Sequence, residues 1–222
     1  MEAASKRGKR KAVHRGVELV CSMQFEERAL ATGHAVVAGV DEVGRGALCG
    51  PVVAAAVVLG KGFVTEGIDD SKRLTARQRV VLDARIRGQA LGFGIGIADH
   101  EEIDRVNILR ATLVAMKRAV LALPVEPDLL LVDALTVPGI KVEQQPIIKG
   151  DAQSASIAAA SIVAKVLRDA LMSALDLEHP GYDLARNMGY GSEEHRLALR
   201  RLGPSPIHRR TFGDVSQRWL FS

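Results

Sequence analysis

Apolar and polar positions along the chain switch between a period of two and a helical period. Val36 to Val40 is an apolar run of strand character that ends in adjacent carboxylates, Asp41 and Glu42. The turn Gly44-Arg45-Gly46 follows one residue later, and a second apolar run, Pro51 to Leu59, follows that. This order predicts a strand, an acidic pair, a tight turn and a returning strand. Upstream, residues 17–32, with Val17, Leu19, Phe25 and Leu30, predict a short helix leading into the first strand. Downstream, Ile68 to Leu74 is a polar loop, and Thr75 with Gln78 forms a capping box for a helix through about Ile86. Leu91 to Ala98 alternates glycine with apolar residues, which predicts a third strand with one face closely approached by another element. Asp99 and Glu102 open a helix whose apolar positions, Ile103, Val106, Leu109, Leu113, Met116 and Val120, run to Pro124 and Pro127.

The second half repeats the alternation. Asp128 to Asp133 predicts a buried strand ending in a carboxylate, and Ile140 to Ile148 an edge strand with Pro146 near its end. Lys149-Gly150-Asp151 then stands directly before a long small-residue helix through about Leu175, with Asp151 opening it. Ser192-Glu193-Glu194-His195 opens a late helix closed by Gly203-Pro204, and a basic segment, Pro206 to Phe212, follows. The expected architecture is a single α/β domain over 17–222 with a mixed sheet. Residues 1–16 are expected to be a basic, structureless tail.

Composition adds little to this picture. With 47% hydrophobic and 25% charged residues in 222, the chain is globular rather than disordered. A net charge of +4 suits a polyanionic partner without demanding one. Two cysteines, Cys21 and Cys49, and no secretory pattern predict a disulfide-free protein in the cytoplasm. The apolar runs are too short to span a bilayer, so no membrane is expected, and a monomer is the default.

The chemistry lies in four acids. Asp41 and Glu42 close one strand, Asp133 closes another, and Asp151 sits before a helix. Sites in α/β sheets form beyond the carboxyl ends of strands. Carboxylates without a Cys or His cluster suit hard cations such as Mg2+ or Mn2+, and two such ions could clamp a phosphodiester for in-line attack by water. Neighbours on a regular strand face opposite sides, so Asp41 and Glu42 can share one ion only where the strand bends or ends. Each acid also has a plainer reading; Asp151 could simply cap a helix. Spacing alone leaves a nuclease, a phosphatase and a divalent-ion binding module open.

At residues 41–58, Asp-Glu-Val-Gly-Arg-Gly-Ala-Leu-Cys-Gly-Pro-Val-Val-Ala-Ala-Ala-Val-Val, the chain resembles the ribonuclease HII family. The resemblance continues through Asp70-Ser71-Lys72-Arg73-Leu74, Lys149-Gly150-Asp151, Ala159 to Val166, Gly189-Tyr190-Gly191 and Gly203 to Arg210. It implies a ribonuclease H-like fold, a five-stranded mixed sheet flanked by helices, with a C-terminal helical extension. It implies endonucleolytic, metal-dependent cleavage of the RNA strand of RNA–DNA hybrids, and cutting 5′ to single ribonucleotides embedded in duplex DNA, with 5′-phosphomonoester products. It implies that Asp41, Glu42, Asp133 and Asp151 hold two Mg2+ or Mn2+ ions. It also implies that the backbone of Gly44, Arg45 and Gly46 reads the ribose 2′-hydroxyl and that Tyr190 stacks on the next sugar. Lys72, Lys149, Lys165, Arg209 and Arg210 are candidate phosphate contacts, with His208 behind them. Two departures stand out. The family pattern has Asp-Gly-Asn where this chain has Asp133-Ala134-Leu135, and Lys where it has Met188. The rival readings are a catalytically silent hybrid-duplex binder and a metal-dependent phosphatase of small substrates.

Overall fold

The computed structural model describes residues 21–216. The expected tail at 1–16 lies outside them. A short helix α1 (Gln24–Ala31) precedes β1 (Val37–Val43) and β2 (Val52–Val58); α2 (Ala76–Gln89), β3 (Gly92–Ala98), α3 (His100–Val106) and α4 (Ile108–Leu121) follow. Then come β4 (Leu129–Asp133), β5 (Glu143–Ile147), a 3-10 turn at Gly150–Ala152 and the long α5 (Ala155–Glu178). The chain closes with α6 (Leu184–Asn187), α7 (Glu193–Leu202) and α8 (Gly213–Ser216).

The five strands form one mixed sheet in the order β3-β2-β1-β4-β5. β1 is central, antiparallel to β2 and parallel to β4. β2 is buried at every position because its two faces serve two cores. Val52, Ala54, Ala56 and Val58 pack with Ala38, Val40 and the α4 residues Ala111, Ala115 and Ala119. Val53, Ala55 and Val57 pack with the α5 residues Ala158, Ala159, Ile162 and Val163 and with Leu82 and Ile86 of α2. Small residues let both helices approach closely. At Gly94 and Gly96 a methyl group would collide with the backbone carbonyls of Ala119 and Ala115, so the glycine alternation in β3 reflects contact with α4, as the sequence predicts. A third cluster joins Leu48, Cys49 and Met172 to Tyr182, Leu184, Leu199 and Ile207, and seats the C-terminal helices on the end of α5.

The Thr75–Gln78 capping box and the Asp99 and Ser192 caps stand where the sequence predicts them. Two expectations are corrected. The helix beginning at Asp99 is two helices: Asn107 takes a left-handed φ of 73° and caps α4 through its side chain, which accepts from Arg110 N–H. The apolar period runs across this break, which hides it, and leaves Leu109 exposed while Ala111, Ala115 and Ala119 fill the core. Asp151 does not open α5 either. It lies in the 3-10 turn, and Ser154 caps the helix by accepting from Ile157 N–H.

Candidate functional site: an acidic cleft bounded by a glycine turn and a tyrosine

The parallel ladder between β1 and β4 ends at Val40 opposite Val132, so Asp41 and Asp133 emerge at the same end of adjacent strands. By alternation both lie on the α5 face: Val40 and Val132 face the α4 core, and a methyl at Gly39 would strike the α5 backbone at Ser156. Glu42 points to the other face, but past the end of β4 it can still reach the same cleft. Asp41, Glu42 and Asp133 line one cavity of about 240 Å³ together with Gly44, Arg45, Gly46, Lys72, Lys165 and Tyr190. Asp151 sits at its flank, joined through Lys72, whose Nζ donates to Asp151 Oδ2 at 3.0 Å.

The electrostatics are those of an anionic site under self-repulsion. Asp41, 4% exposed, has its proton affinity raised well above the carboxylate range by burial and by the charges of Glu42 and Asp133. Burial also raises Glu42, against the pull of Arg45, whose Nη1 donates to Glu42 Oε1 at 3.2 Å. Asp133 is raised by burial although its Oδ1 accepts from Gly150 N–H at 2.7 Å. Burial pulls Lys72 down, but Asp151, Asp70 and Asp41 outweigh it and push it up to about 12. Glu42 Oε2 is buried with no hydrogen-bond partner among the described residues. An all-oxygen donor set with a partnerless buried oxygen, and like charge only partly offset by Arg45 and Lys72, fits a divalent cation.

The other wall is a turn held from inside. Gly44 has φ 102°, and Ala47 N–H closes the turn on its carbonyl at 3.3 Å. Leu48 N–H donates to Gly189 O at 2.7 Å, and Ala47 and Tyr190 form an isolated antiparallel bridge. The glycine turn and the tyrosine loop are thereby one unit. Two fully buried arginines sit behind it. Arg168 of α5 donates to the carbonyls of Pro51, Met188 and Cys49, and Arg209 to those of Gly50 and Arg45. Among the described residues no carboxylate bonds either guanidinium. Burial and the neighbouring Arg168 pull Arg209 down to about 9, still charged at neutral pH. Tyr190, 37% exposed, has its ring 5.4 Å from the Arg168 guanidinium carbon and 5.9 Å from Lys165 Nζ.

The structure therefore gathers Asp41, Glu42, Asp133, Gly44, Arg45, Gly46, Lys72, Lys165 and Tyr190 into one cleft, with Asp151 beside it. Lys149 and Arg210 are exposed, and Lys165 is paired with Asp169 at 2.6 Å. Arg209 is a correction: its side chain is interior and bonded to backbone, out of reach of a phosphate. His208 is likewise buried. Arg168 and Ser161, which lines the cavity with its Oγ 2.9 Å from Ser71 Oγ, escape a reading based on charge runs. The signal for them is helical spacing: Ser161, Arg168 and Met172 share one stripe of an otherwise small, apolar helix.

A family model described as Ribonuclease HII matches residues 38–215. The chain belongs to the ribonuclease HII family. Curated family members include the ribonuclease HII of Geobacter sulfurreducens, 54% identical over 193 residues that cover 87% of this chain and 89% of that protein. The ribonuclease HII of Desulfitobacterium hafniense strain Y51 is 53% identical over 196 residues, covering 88% and 75%. The crystal structure of ribonuclease H2 from Pyrococcus horikoshii OT3 superposes with a TM-score of 0.68 at 26% identity, covering 85% of this chain and 100% of that one. Bst-RNase HIII in complex with Mn2+ has the same fold, with a TM-score of 0.63 at 18% identity, covering 86% and 71%. As a ribonuclease HII the chain is an endonucleolytic ribonuclease H with a nucleic-acid substrate and the ribonuclease H-like fold. No helix among the described residues is long and apolar enough to cross a membrane.

Ala134 occupies a left-handed conformation, φ 52°, where the family pattern carries glycine. An alanine held in that region carries a strain of about 1 kcal/mol that glycine would not. Ala134→Gly is expected to raise stability by up to about 1 kcal/mol, less the entropy glycine adds to the unfolded chain, with activity unchanged. Denaturant unfolding checks this; a destabilised glycine variant would show that the alanine methyl packs favourably.

Proposed function

We propose that this ribonuclease HII cleaves the RNA strand of RNA–DNA hybrids and also cuts 5′ to a single ribonucleotide in duplex DNA. Asp41, Glu42, Asp133 and Asp151 would hold two Mg2+ or Mn2+ ions; an Mn2+ complex of the related Bst-RNase HIII supports a divalent-cation site. When bound, the ions polarise the scissile phosphate and supply an activated water for in-line displacement. The protein's own residues do the rest. Backbone groups of Gly44, Arg45 and Gly46 meet the 2′-hydroxyl, both donor and acceptor, which separates RNA from DNA. Arg45 is exposed beside the turn, and Lys72 and Lys165 face the cleft, all suited to phosphate. The Tyr190 ring gives the following sugar a flat wall.

The observation that carries this reading is the bridge between Ala47 and Tyr190. It makes the ribose-reading turn and the tyrosine a single wall of the cavity whose other wall is acidic. Recognition of a 2′-hydroxyl and placement of the adjacent phosphate are then one event.

The test is a labelled DNA duplex with one ribonucleotide, beside an all-RNA hybrid, with Mg2+, with Mn2+ and with chelator. Metal-dependent cutting of both is expected, on the 5′ side of the lone ribonucleotide. An intact single-ribonucleotide duplex would remove the junction activity. Tyr190→Ala should lower kcat/KM about tenfold on that duplex, the scale of one lost aromatic contact, and less on the hybrid. Equal losses on both would leave Tyr190 as packing only.

A further inference from the structure

The proposed chemistry leaves two fully buried histidines unused, His195 on α7 and His208 in the C-terminal segment. Their hydrogen bonds fix one direction. Ser205 N–H points at His208 Nδ1, 3.0 Å away, and Ser205 Oγ lies 2.8 Å from the same nitrogen. A backbone amide can only donate, so Nδ1 accepts and the neutral ring carries its proton on Nε2. That Nε2 lies 3.1 Å from His195 Nε2. One of the two must accept, and it is His195, whose proton then sits on Nδ1. His195 Nδ1 is 2.9 Å from the carbonyl oxygen of Tyr190, which can only accept. Every link has one donor and one acceptor. Both rings are held neutral by burial, His208 down to about 4.

Cys49 completes a buried trio whose ligand atoms lie within 4.8 Å of one another. The bond polarity argues against a metal ion there. Coordination through His208 Nε2 would need the ring proton on Nδ1, where the Ser205 amide already points. Burial also pushes the Cys49 thiol up to about 12, so without an ion it is a neutral thiol.

We propose that His195, oriented by His208, is a positioning residue that fixes the Tyr190 peptide so that the ring faces the sugar beyond the cut. Tyr190 N–H is already held by Asn187 O at 3.0 Å, and Tyr190 O accepts from Ser192 N–H at 2.8 Å as well as from His195, so the histidine adds a second, side-chain anchor that ties this carbonyl to the body of α7 and to His208. The ring itself stays open to the cleft. Neither histidine lines the cavity, and His195 reaches it through its bond to Tyr190 O. This inference rests on the reading of Tyr190 as the junction contact.

Two measurements test it. First, 15N NMR of histidine-labelled protein should find His208 as the Nε2–H tautomer and His195 as the Nδ1–H tautomer. The reverse pair would overturn the inference whatever the variants do. Second, kinetics on the two substrates should separate the variants. His195→Leu, which loses the donor, should lower kcat/KM on the single-ribonucleotide duplex about tenfold and on the hybrid less than about threefold. His195→Asn, which keeps a donor near the Nδ1 position, should stay within about threefold of the parent on both. In the double variant with Tyr190→Ala the loss should be no greater than for Tyr190→Ala alone; additive losses would overturn the inference. A Tyr190→Ala defect beside a parent-like His195→Leu would overturn this inference alone. Parent-like cutting by Tyr190→Ala would overturn the junction reading and the inference together.

Discussion

Asp41→Asn is expected to lower kcat by about 10³-fold or more, the scale of several kcal/mol of lost charge stabilisation, while duplex binding persists. It is also expected to make the protein more stable. Asp41 is buried against Glu42 and Asp133, and its folded proton affinity is raised above the unfolded value. The folded state therefore holds the proton more tightly than the unfolded chain. Stability from this group is present at low pH and is lost as pH rises through the folded-state value. Near pH 7–8, without divalent ions, the unfolded chain holds this carboxyl ionised, so folding must either take up a proton or bury the charge; both oppose folding, and asparagine removes the ionisable group at nearly the same volume. The thermal midpoint should rise by roughly 2–4 °C for each kcal/mol recovered in a chain of this size. The gain should vanish near pH 3–4, where the parent carboxyl is itself neutral. Retained turnover in Mg2+ buffer would remove Asp41 from the chemistry. A lowered midpoint at pH 7.5 would show that its bond to Glu42 N–H outweighs the repulsion.

Gly44→Ala and Gly46→Ala should part company although they flank one arginine. A methyl at Gly44 would collide with the Arg168 side chain and come to 2.8 Å of Pro51 O, in a backbone at φ 102°. The expected loss is about 2–4 kcal/mol, combining left-handed strain with overpacking, and activity should fall on every substrate as the turn shifts. A methyl at Gly46 meets nothing within 4 Å. Its stability should stay within about 0.5 kcal/mol of the parent. If the ribose approaches the backbone there, Gly46→Ala should still lose activity on both substrates. A stable and fully active Gly46→Ala would take that residue out of substrate reading. Urea unfolding beside kcat/KM on the hybrid and the single-ribonucleotide duplex separates these outcomes.

What the sequence disclosed follows from local rules. The capping residues Thr75, Asp99 and Ser192, the strand ends at Asp41 and Asp133 and the glycine alternation in β3 carry their signal within a few positions. What it concealed is decided by distant partners. Asn107 breaks a helix inside an unbroken apolar period because its side chain can replace the lost turn. Arg209 and His208 stand in a basic run that reads as a phosphate-contacting surface with the histidine behind it. Their carbonyl and imidazole partners belong to residues 45, 50 and 195, and no local pattern announces them. Asp151 stands before a helix and reads as its cap, whereas Ser154, three residues on, does that work and leaves the acid to Lys72.

The outermost strand has a consequence for the protein in concentrated solution. β5 is five residues long, Glu-Gln-Gln-Pro-Ile, with Val132 opposite Pro146. Proline lacks an amide hydrogen, and a short, polar, proline-bearing border is a poor template for an incoming strand. The sheet is thereby protected from growing chain by chain into aggregates on that side. The same short strand leads into Gly150, whose amide holds Asp133, so one segment both terminates the sheet and orients an acid of the cleft.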